Sequence, residues 1–217
     1  MWWVTLYRST IGKKVTMAVT GLIMVGFLVL HMLGNLQAFA GAARINAYSA
    51  FLHSTGELLW LARAVLLVAV VLHIDAAIQL TRIARAARPQ GYAERHSQIA
   101  TIASRSLRWG GVILAVFIVF HILHMTTGTV HPSFVPGDVY HNLVAGFLVW
   151  PVAVFYLVAM GALGLHLYHG VWSSARTLGV ARPSAHPLHR PVALIVSVVV
   201  ALGFALIPIA VLAGWLR

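Results

Sequence analysis

VTMAVTGLIMVGFLVLHMLGNLQAF, residues 15–39, is a continuous run without one charged side chain. At about 1.5 Å of rise per helical residue, a helix of this length crosses a hydrocarbon core of about 30 Å. Further apolar stretches follow at residues 58–80, 109–127, 143–172 and 192–216. We therefore predict an all-α fold, an integral membrane bundle of five transmembrane helices, formed by a single domain over residues 1–217. The fourth stretch exceeds what one span needs, so a tilt or a protruding end is expected there.

The composition excludes several other classes of protein. Hydrophobic residues make up 60% of the 217 positions and charged residues 9%, whereas a soluble domain has about 25% charged residues. The net charge of +11 falls in short segments between the apolar runs, not on a basic face, so nucleic-acid binding is not expected. The chain has no cysteine, which excludes disulfides and thiolate-held clusters within it. Twelve histidines against four acidic residues make imidazole its main metal-binding chemistry.

The basic residues predict the orientation of the bundle. If the N-terminus lies in the cytoplasm, the segments on that side carry far more Lys and Arg than those outside, as the positive-inside rule requires. We therefore predict a cytoplasmic N-terminus, an outer C-terminus and contact of the basic segment 82–108 with anionic lipid or a cytoplasmic partner. The cytoplasmic group is Arg8, Lys13, Lys14, Arg82, Arg85, Arg88, Arg95, Arg105, Arg108, Arg176, Arg182 and Arg190, and the outer group is Arg44, Arg63 and Arg217.

Histidines lie at depth in four of the five stretches, where ionisable residues are costly and by default mark function. Counted from the nearest basic residue on the cytoplasmic side, His31 and His121 lie 17 and 13 residues into their spans. His73 and His166 lie 9 and 10 residues in. At about 1.5 Å per residue, these depths predict one pair roughly 20–25 Å from the inner boundary and a second pair roughly 13–15 Å from it.

Paired imidazoles at two heights favour haem. A porphyrin that stands between helices needs one imidazole from each side at the same level, so two levels predict two haems and an electron relay. A membrane histidine can instead bond a helix carbonyl or line a proton path. The pairs His121/His124 and His166/His169, spaced i and i+3, could alternatively bind zinc or copper. Asp75 is the only acid well inside a span, which argues against a hydrolytic or di-iron centre.

Four segments carry a resemblance to a known family. RSTIGKKVTMAVTGLIMVGFLVLHMLGN (8–35) is similar to the family's first helix, and VFHILHMTTGT (119–129) is similar to its third. ALGLHLYHGVWSSARTLG (162–179) and VVALGFALIPIAV (199–211) are similar to the fourth and fifth. The family is the cytochrome b subunit of succinate dehydrogenase (succinate:quinone oxidoreductase), in its single-chain, five-helix, two-haem form, and the resemblance covers almost the whole chain.

The resemblance implies specific ligands for two haem b groups. The outer (distal) haem would be held by His31 and His121, and the inner (proximal) haem by His73 and His166, which is the pairing that the depths predict. His124 and His169 would then lie near a haem edge or the quinone.

The resemblance also implies partners and a place in the cell. It implies a flavoprotein subunit and an iron–sulfur subunit on the cytoplasmic side, a quinone (menaquinone in many such forms) near the outer haem, and the bacterial cytoplasmic (inner) membrane. The chain would be the membrane subunit of the enzyme, and the succinate-oxidising residues would lie in another subunit. Candidate quinone or proton groups are Asn35, His53 and Glu57. Some relatives carry an acid two residues before the fourth-helix ligand, but here this position is Gly164.

Two further functions fit parts of the pattern. The chain could be the cytochrome b anchor of a fumarate reductase or another respiratory enzyme such as a hydrogenase, because the direction of turnover depends on other subunits. A histidine-dependent membrane transporter is an alternative from a different class. Such a transporter would be expected to have broken helices or inverted repeats, and the sequence has no such pattern.

Overall fold

The computed structural model describes residues 7–87, 102–180 and 191–217, and within these ranges it contains helices and no strand. Five of the helices are long and apolar enough to cross a membrane. The prediction of a five-helix membrane bundle is confirmed, and the protein is a multi-pass membrane protein. The helices are α1 (Thr10–Asn35), α2 (Ala42–Ser54), α3 (Glu57–Ala86), α4 (Ile102–His121), α5 (Val139–Leu148), α6 (Trp150–Thr177) and α7 (Pro191–Leu212), of which α2 and α5 are the short ones.

The fourth apolar stretch differs from the prediction, because residues 143–172 belong to two helices instead of one. Helix α5 ends at Leu148, Val149 is extended (φ −75°, ψ 91°), and α6 starts at Trp150. Pro151 accounts for the break. In a continuous helix its ring would clash with the preceding turn and leave a carbonyl unpaired, whereas in the first turn of α6 its missing N–H costs nothing.

The five long helices pack around a gap. Helix α1 packs against α3 and α6, α4 packs against α6, and α7 lies along α6 and α1. Small residues permit the closest approaches: a Cβ added to Gly203 of α7 would overlap Met32 of α1, and one added to Gly164 of α6 would lie 3.3 Å from the Ala201 Cβ. Helices α3 and α4 do not pack closely on one another. One side of the ring of α1, α3, α4 and α6 is therefore open between the backbones.

The short helices α2 and α5 pack together at one end of the bundle, and we call this pair the outer cap. Gly41, at φ +95°, turns the chain into α2, a conformation that only glycine adopts without strain. The Asn46 amide nitrogen donates to Asp138 Oδ1 (2.9 Å), and its oxygen accepts from the Tyr140 N–H (3.1 Å). Asp138 in turn caps α5 by accepting from the His141 N–H (3.0 Å). The C-terminal Leu216 is buried in the same cluster as residues of α2 and α5.

The opposite end, which we call the basic end, holds the start of α1 and most of the described basic residues. Orientation relative to the cytoplasm stays a prediction. Arg88, Arg95, Arg182 and Arg190 lie outside the described residues. The described basic residues of this end are Arg8, Lys13, Lys14, Arg82, Arg85, Arg105, Arg108 and Arg176, against Arg44, Arg63 and Arg217 at the outer end.

The outer cap is expected to weaken in acid. The His141 N–H and the Asn46 amide donate to the Asp138 carboxylate, and they lower its pKa below the ordinary 3.8. A lowered folded-state pKa gives stabilisation that is complete above 3.8 and is lost as the pH falls through the lowered value. Thermal unfolding in detergent between pH 5 and pH 3 should show this loss, of at most about 1 kcal/mol, the usual contribution of an N-cap.

The matched control for the cap is Asp138→Asn, which keeps the shape and removes the titrating group. This variant should be less stable than the parent at pH 5 and should lose less stability on acidification. Both proteins share the twelve histidines and the other three acidic residues, so the difference between their acid responses isolates Asp138. An equal acid response in both proteins would contradict this role for Asp138.

Candidate metal centres

The first candidate centre, the outer pair, consists of His31 on α1 and His121 on α4. The two ring centroids lie 5.9 Å apart and the rings are nearly perpendicular (81°). Each ring stacks on a phenylalanine one turn earlier in its own helix, Phe27 at 5.2 Å and Phe117 at 5.6 Å. Because α1 and α4 do not pack closely on each other, the two side chains meet across the gap of the bundle.

The second candidate centre, the inner pair, consists of His73 on α3 and His166 on α6. Their ring centroids lie 6.1 Å apart, with an angle of 54° between the rings. Gly21 of α1 faces His73, and a Cβ at this position would lie 3.4 Å from the His73 Cε1. A side chain larger than alanine at residue 21 would therefore press on the ring. As in the outer pair, the two helices that carry the rings are not close neighbours.

Two helices independently give the separation between the pairs. On α1, Thr20 contacts His73 of the inner pair, and His31 of the outer pair follows 11 residues later. On α6, Tyr156 contacts His121 of the outer pair and His166 follows 10 residues later. At about 1.5 Å per residue, both helices place the two levels about 15 Å apart along the bundle. The ring distances bring together the two pairs that the depth argument matched, although the levels are further apart than the predicted depths imply. The role of these rings as metal ligands stays a prediction.

Thr20 fixes the protonation of His73. Its hydroxyl donates to the Thr16 carbonyl (2.7 Å) and thus has no proton left for the His73 Nδ1 at 3.2 Å. The Thr20 oxygen then accepts from an Nδ1–H, so Nε2 of the neutral ring carries a lone pair. The Met17 carbonyl of α1 is a further hydrogen-bond acceptor for His73. This is the tautomer that binds a metal through Nε2 and donates its other N–H to an orienting acceptor.

The outer pair is contacted by an amide and a hydroxyl. The Asn35 amide nitrogen lies 3.3 Å from the His31 Nε2. A metal bound to this nitrogen would replace its contact with the Asn35 amide. The Tyr156 hydroxyl lies 3.2 Å from the His121 Nδ1 and 3.0 Å from the His124 Nδ1. The chain beyond α4 makes this sharing possible, since the wider π turn over Ile122–Thr126 brings both histidines to one hydroxyl.

His124 is enclosed by protein, unlike the four paired histidines. It is 0% exposed and is stacked between Phe120 (5.4 Å) and His131 (4.8 Å). A Cβ added to Gly146 would lie 2.8 Å from its Cε1. No room for a macrocycle remains on this ring, which favours His121 as the ligand of α4. His169, by contrast, is only half-buried.

Asp75, the acid inside a span, is held by other side chains. It accepts from the Tyr7 hydroxyl, and the Gln79 amide donates to the same oxygen (2.6 Å). This hydrogen bond and the desolvation of the tyrosine raise the pKa of Tyr7 above its ordinary 10.0. These bonds tie the segment before α1 to α3 near the basic end, so Asp75 has a structural explanation.

The residues fit haem better than they fit a bare metal ion. Zinc and copper sites use three or four protein ligands, and the described residues contain no cluster of three or more histidine or acidic side chains that could hold a metal. Haem supplies four nitrogens itself and takes two axial ligands. With metal–imidazole bonds of about 2 Å, two such ligands have ring centroids about 6 Å apart, close to the distances in both pairs.

The surroundings of His166 give a second test of the fit. Its Nδ1 is buried and has no hydrogen-bond partner among the described residues, so the protein does not fix the tautomer of this ring as it does for His73. Beside the ring, between α4 and α6, lies a largely apolar groove of about 250 Å³. Its lining includes Trp109, Gly110, Ile113 and Ala162. Such a groove accepts an apolar group more readily than a hydrated ion.

The three candidate quinone or proton groups are not brought together. Asn35 contacts the outer pair, as described above. His53 is exposed and its Nδ1 donates to the Ser49 carbonyl (2.8 Å), while Glu57 is exposed at the first residue of α3. Within the described part of the chain, neither side chain hydrogen-bonds to the paired histidines. Their role in binding quinone or protons stays a prediction.

Sequence reasoning missed Thr20, Tyr156 and His131. A hydroxyl inside an apolar span was the available signal for the first two, because a buried hydroxyl needs a partner. Which ring each hydroxyl meets depends on another helix, and no spacing within one helix reveals it. His131 accepts from the Ser133 N–H (3.1 Å) and donates to the Asn142 carbonyl (2.9 Å), which anchors the loop before α5 against His124.

Comparison of the chain with models of protein families, with curated proteins and with solved structures found no significant match.

Proposed function

We propose that the chain is the two-haem b membrane anchor of succinate dehydrogenase, and that it passes electrons between the iron–sulfur subunit and quinone. The observation that carries the proposal is the arrangement of the two ring pairs, which come from four different helices. Their centroid distances of 5.9 and 6.1 Å fit axial ligation by two imidazoles. Two levels about 15 Å apart suit electron transfer along the bundle, whereas a reaction at a single centre would need only one level.

Haem, when bound, supplies the one-electron chemistry, and the protein supplies position and surroundings. His31 and His121 would hold the outer group, and His73 and His166 the inner one. Phe27 and Phe117 keep the outer rings in place by stacking on them, and Thr20 orients His73. The apolar helix faces keep water from both levels and so lower the local dielectric constant.

The basic end supports a cytoplasmic docking surface. Arg82 and Arg85 at the end of α3, and Arg105 and Arg108 at the start of α4, are exposed. Exposed guanidinium groups pair with carboxylates in two-pronged geometry, so they can bind an acidic protein surface or haem propionates. In this proposal the iron–sulfur subunit binds here and the flavoprotein subunit binds to it. The membrane is the bacterial cytoplasmic membrane, and the quinone binds near the outer pair.

The test of the proposal is optical and needs no partner. The protein, purified in detergent and reduced with dithionite, should show the absorption bands of a low-spin b-type haem. A pyridine haemochrome assay with a protein determination should give two haems per chain. One haem per chain would contradict the two-level arrangement. A protein without any haem would contradict the proposal as a whole.

A further inference from the structure

The Tyr156 hydroxyl stands between two imidazoles and has only one proton to donate. It lies 3.2 Å from the His121 Nδ1 and 3.0 Å from the His124 Nδ1. If both contacts are hydrogen bonds, the hydroxyl donates to one ring and accepts from the N–H of the other. The three side chains therefore form a directional relay with two possible arrangements that contain the same number of protons.

The two arrangements differ in the ring nitrogen of His121 that is free. In the first, the His121 Nδ1–H donates to Tyr156, the hydroxyl donates to His124, and the His121 Nε2 carries a lone pair. In the second, the hydroxyl donates to the His121 Nδ1, so the neutral ring carries its proton on Nε2. A neutral imidazole binds iron only through an unprotonated nitrogen, so the first arrangement alone leaves Nε2 able to act as a ligand.

The inner pair has no such choice. The Thr20 hydroxyl gives its proton to the Thr16 carbonyl, so it can only accept from His73. The tautomer of His73 is thus set by the backbone of α1 before any ligand binds. No backbone carbonyl is within hydrogen-bond distance of the Tyr156 hydroxyl among the described residues, so its direction is settled by the two rings.

We propose that Tyr156 is a positioning residue for His121, and that it couples the tautomer of this ligand to that of the buried His124. The proposal rests on the proposed function, since it takes His121 as the ligand of the outer haem. His121 would hold iron only in the arrangement in which its Nδ1–H donates to the hydroxyl, and in that arrangement His124 carries its proton on Nε2.

The His124 side chain is suited to end the relay. It is fully buried, and its Nε2 has no hydrogen-bond partner among the described residues. Stacking on Phe120 and His131 and the close approach of Gly146 hold the ring in one orientation. The ring therefore cannot turn to satisfy Nε2, and within the described part of the chain its one hydrogen bond is to Tyr156.

The test measures the midpoint potentials of both haems in three proteins. The parent, Tyr156→Phe and Thr20→Val are titrated in detergent while absorption is recorded. Acceptance of the ligand N–H by a hydroxyl raises the basicity of the ligand and favours ferric iron. Tyr156→Phe should therefore raise the potential of one haem, by about 59 mV if the ferric preference falls tenfold. Thr20→Val should raise the potential of the other haem and leave the first unchanged.

A double-mutant cycle distinguishes the relay from a general electrostatic effect. His124→Leu removes the acceptor of the Tyr156 hydroxyl and should move the same haem as Tyr156→Phe, in the same direction and by less. In the combined variant the shift should equal that of Tyr156→Phe alone, because the influence of His124 passes through the hydroxyl. Additive shifts would overturn the coupling.

The remaining outcomes are equally decisive. A Tyr156→Phe protein with two haems and unchanged potentials would overturn the positioning role and leave the proposed function standing. A shift of the same haem by Tyr156→Phe and Thr20→Val would also overturn it. Retention of the second haem at its parental potential shows that a variant is folded. A parent protein without haem would refute the proposed function, and the two failures are thereby distinguishable.

Discussion

Replacing His73 with alanine is expected to remove one of the two haems per chain and to leave the other with unchanged absorption and potential. The reason is the separation of the pairs: His73 faces His166 across the gap, and the outer pair lies about 15 Å further along the bundle. His166→Ala should remove the same haem, since one remaining imidazole leaves a six-coordinate iron one ligand short. Pyridine haemochrome content and the count of redox waves measure the result.

The matched control for this prediction is His169→Ala. His169 lies three residues from His166 on the same helix and is half-buried. Its replacement therefore tests whether the loss of any histidine from this part of α6 lowers the haem content. This variant should retain both haems. Loss of both haems from His73→Ala, in a protein whose helix content by circular dichroism is unchanged, would show that the pairs are not independent. Retention of both would show that His73 is not a ligand.

Replacing His121 with alanine is expected to remove the outer haem and to lower succinate:quinone reductase activity of the assembled complex about tenfold or more. Electrons that enter at the basic end would then stop at the inner level. Oxidation of succinate with a water-soluble acceptor should be unchanged, because that reaction belongs to another subunit in the proposed assembly. The two assays on one preparation therefore separate electron transfer through this chain from chemistry upstream of it.

The haem that remains in His121→Ala provides an internal check. It should be the one whose potential responds to Thr20→Val, because Thr20 contacts His73 and not the outer rings. His31→Ala should remove the same haem as His121→Ala, because His31 is the partner ring of His121 across the gap. Unchanged quinone reduction after loss of the outer haem would show that electrons leave the bundle at the inner level, and the order of the two centres would be wrong.

Much of the fold could be predicted because lipid imposes a simple rule. A spanning segment has to satisfy its backbone hydrogen bonds internally, so length and apolar character suffice to locate each helix. The run at residues 15–39 became α1 and a short 3-10 turn at Leu36–Ala40. The break between Leu148 and Trp150 was readable in principle from Pro151, but the apolar pattern on either side concealed it. The π turn after His121 carried no signal in the sequence.

Less of the candidate site could be predicted. Depth along a helix follows from residue counts, and this is why His31 and His121, and His73 and His166, could be matched from the sequence. The choice of His121 over His124 came from the family resemblance alone. A physical reason needed neighbouring segments: His124 is enclosed by Phe120, His131 and Gly146.

The sequence by itself determined the five spans, the excess of basic residues at one end and the heights of the deep histidines. These properties depend on composition and on the fixed rise of a helix, which act along one segment at a time. Only the tertiary structure decided which rings face each other across the gap and which hydroxyl orients each ring. Such contacts depend on the rotation and the tilt of packed helices, and those are set by side chains far apart in the chain, such as Gly203 against Met32.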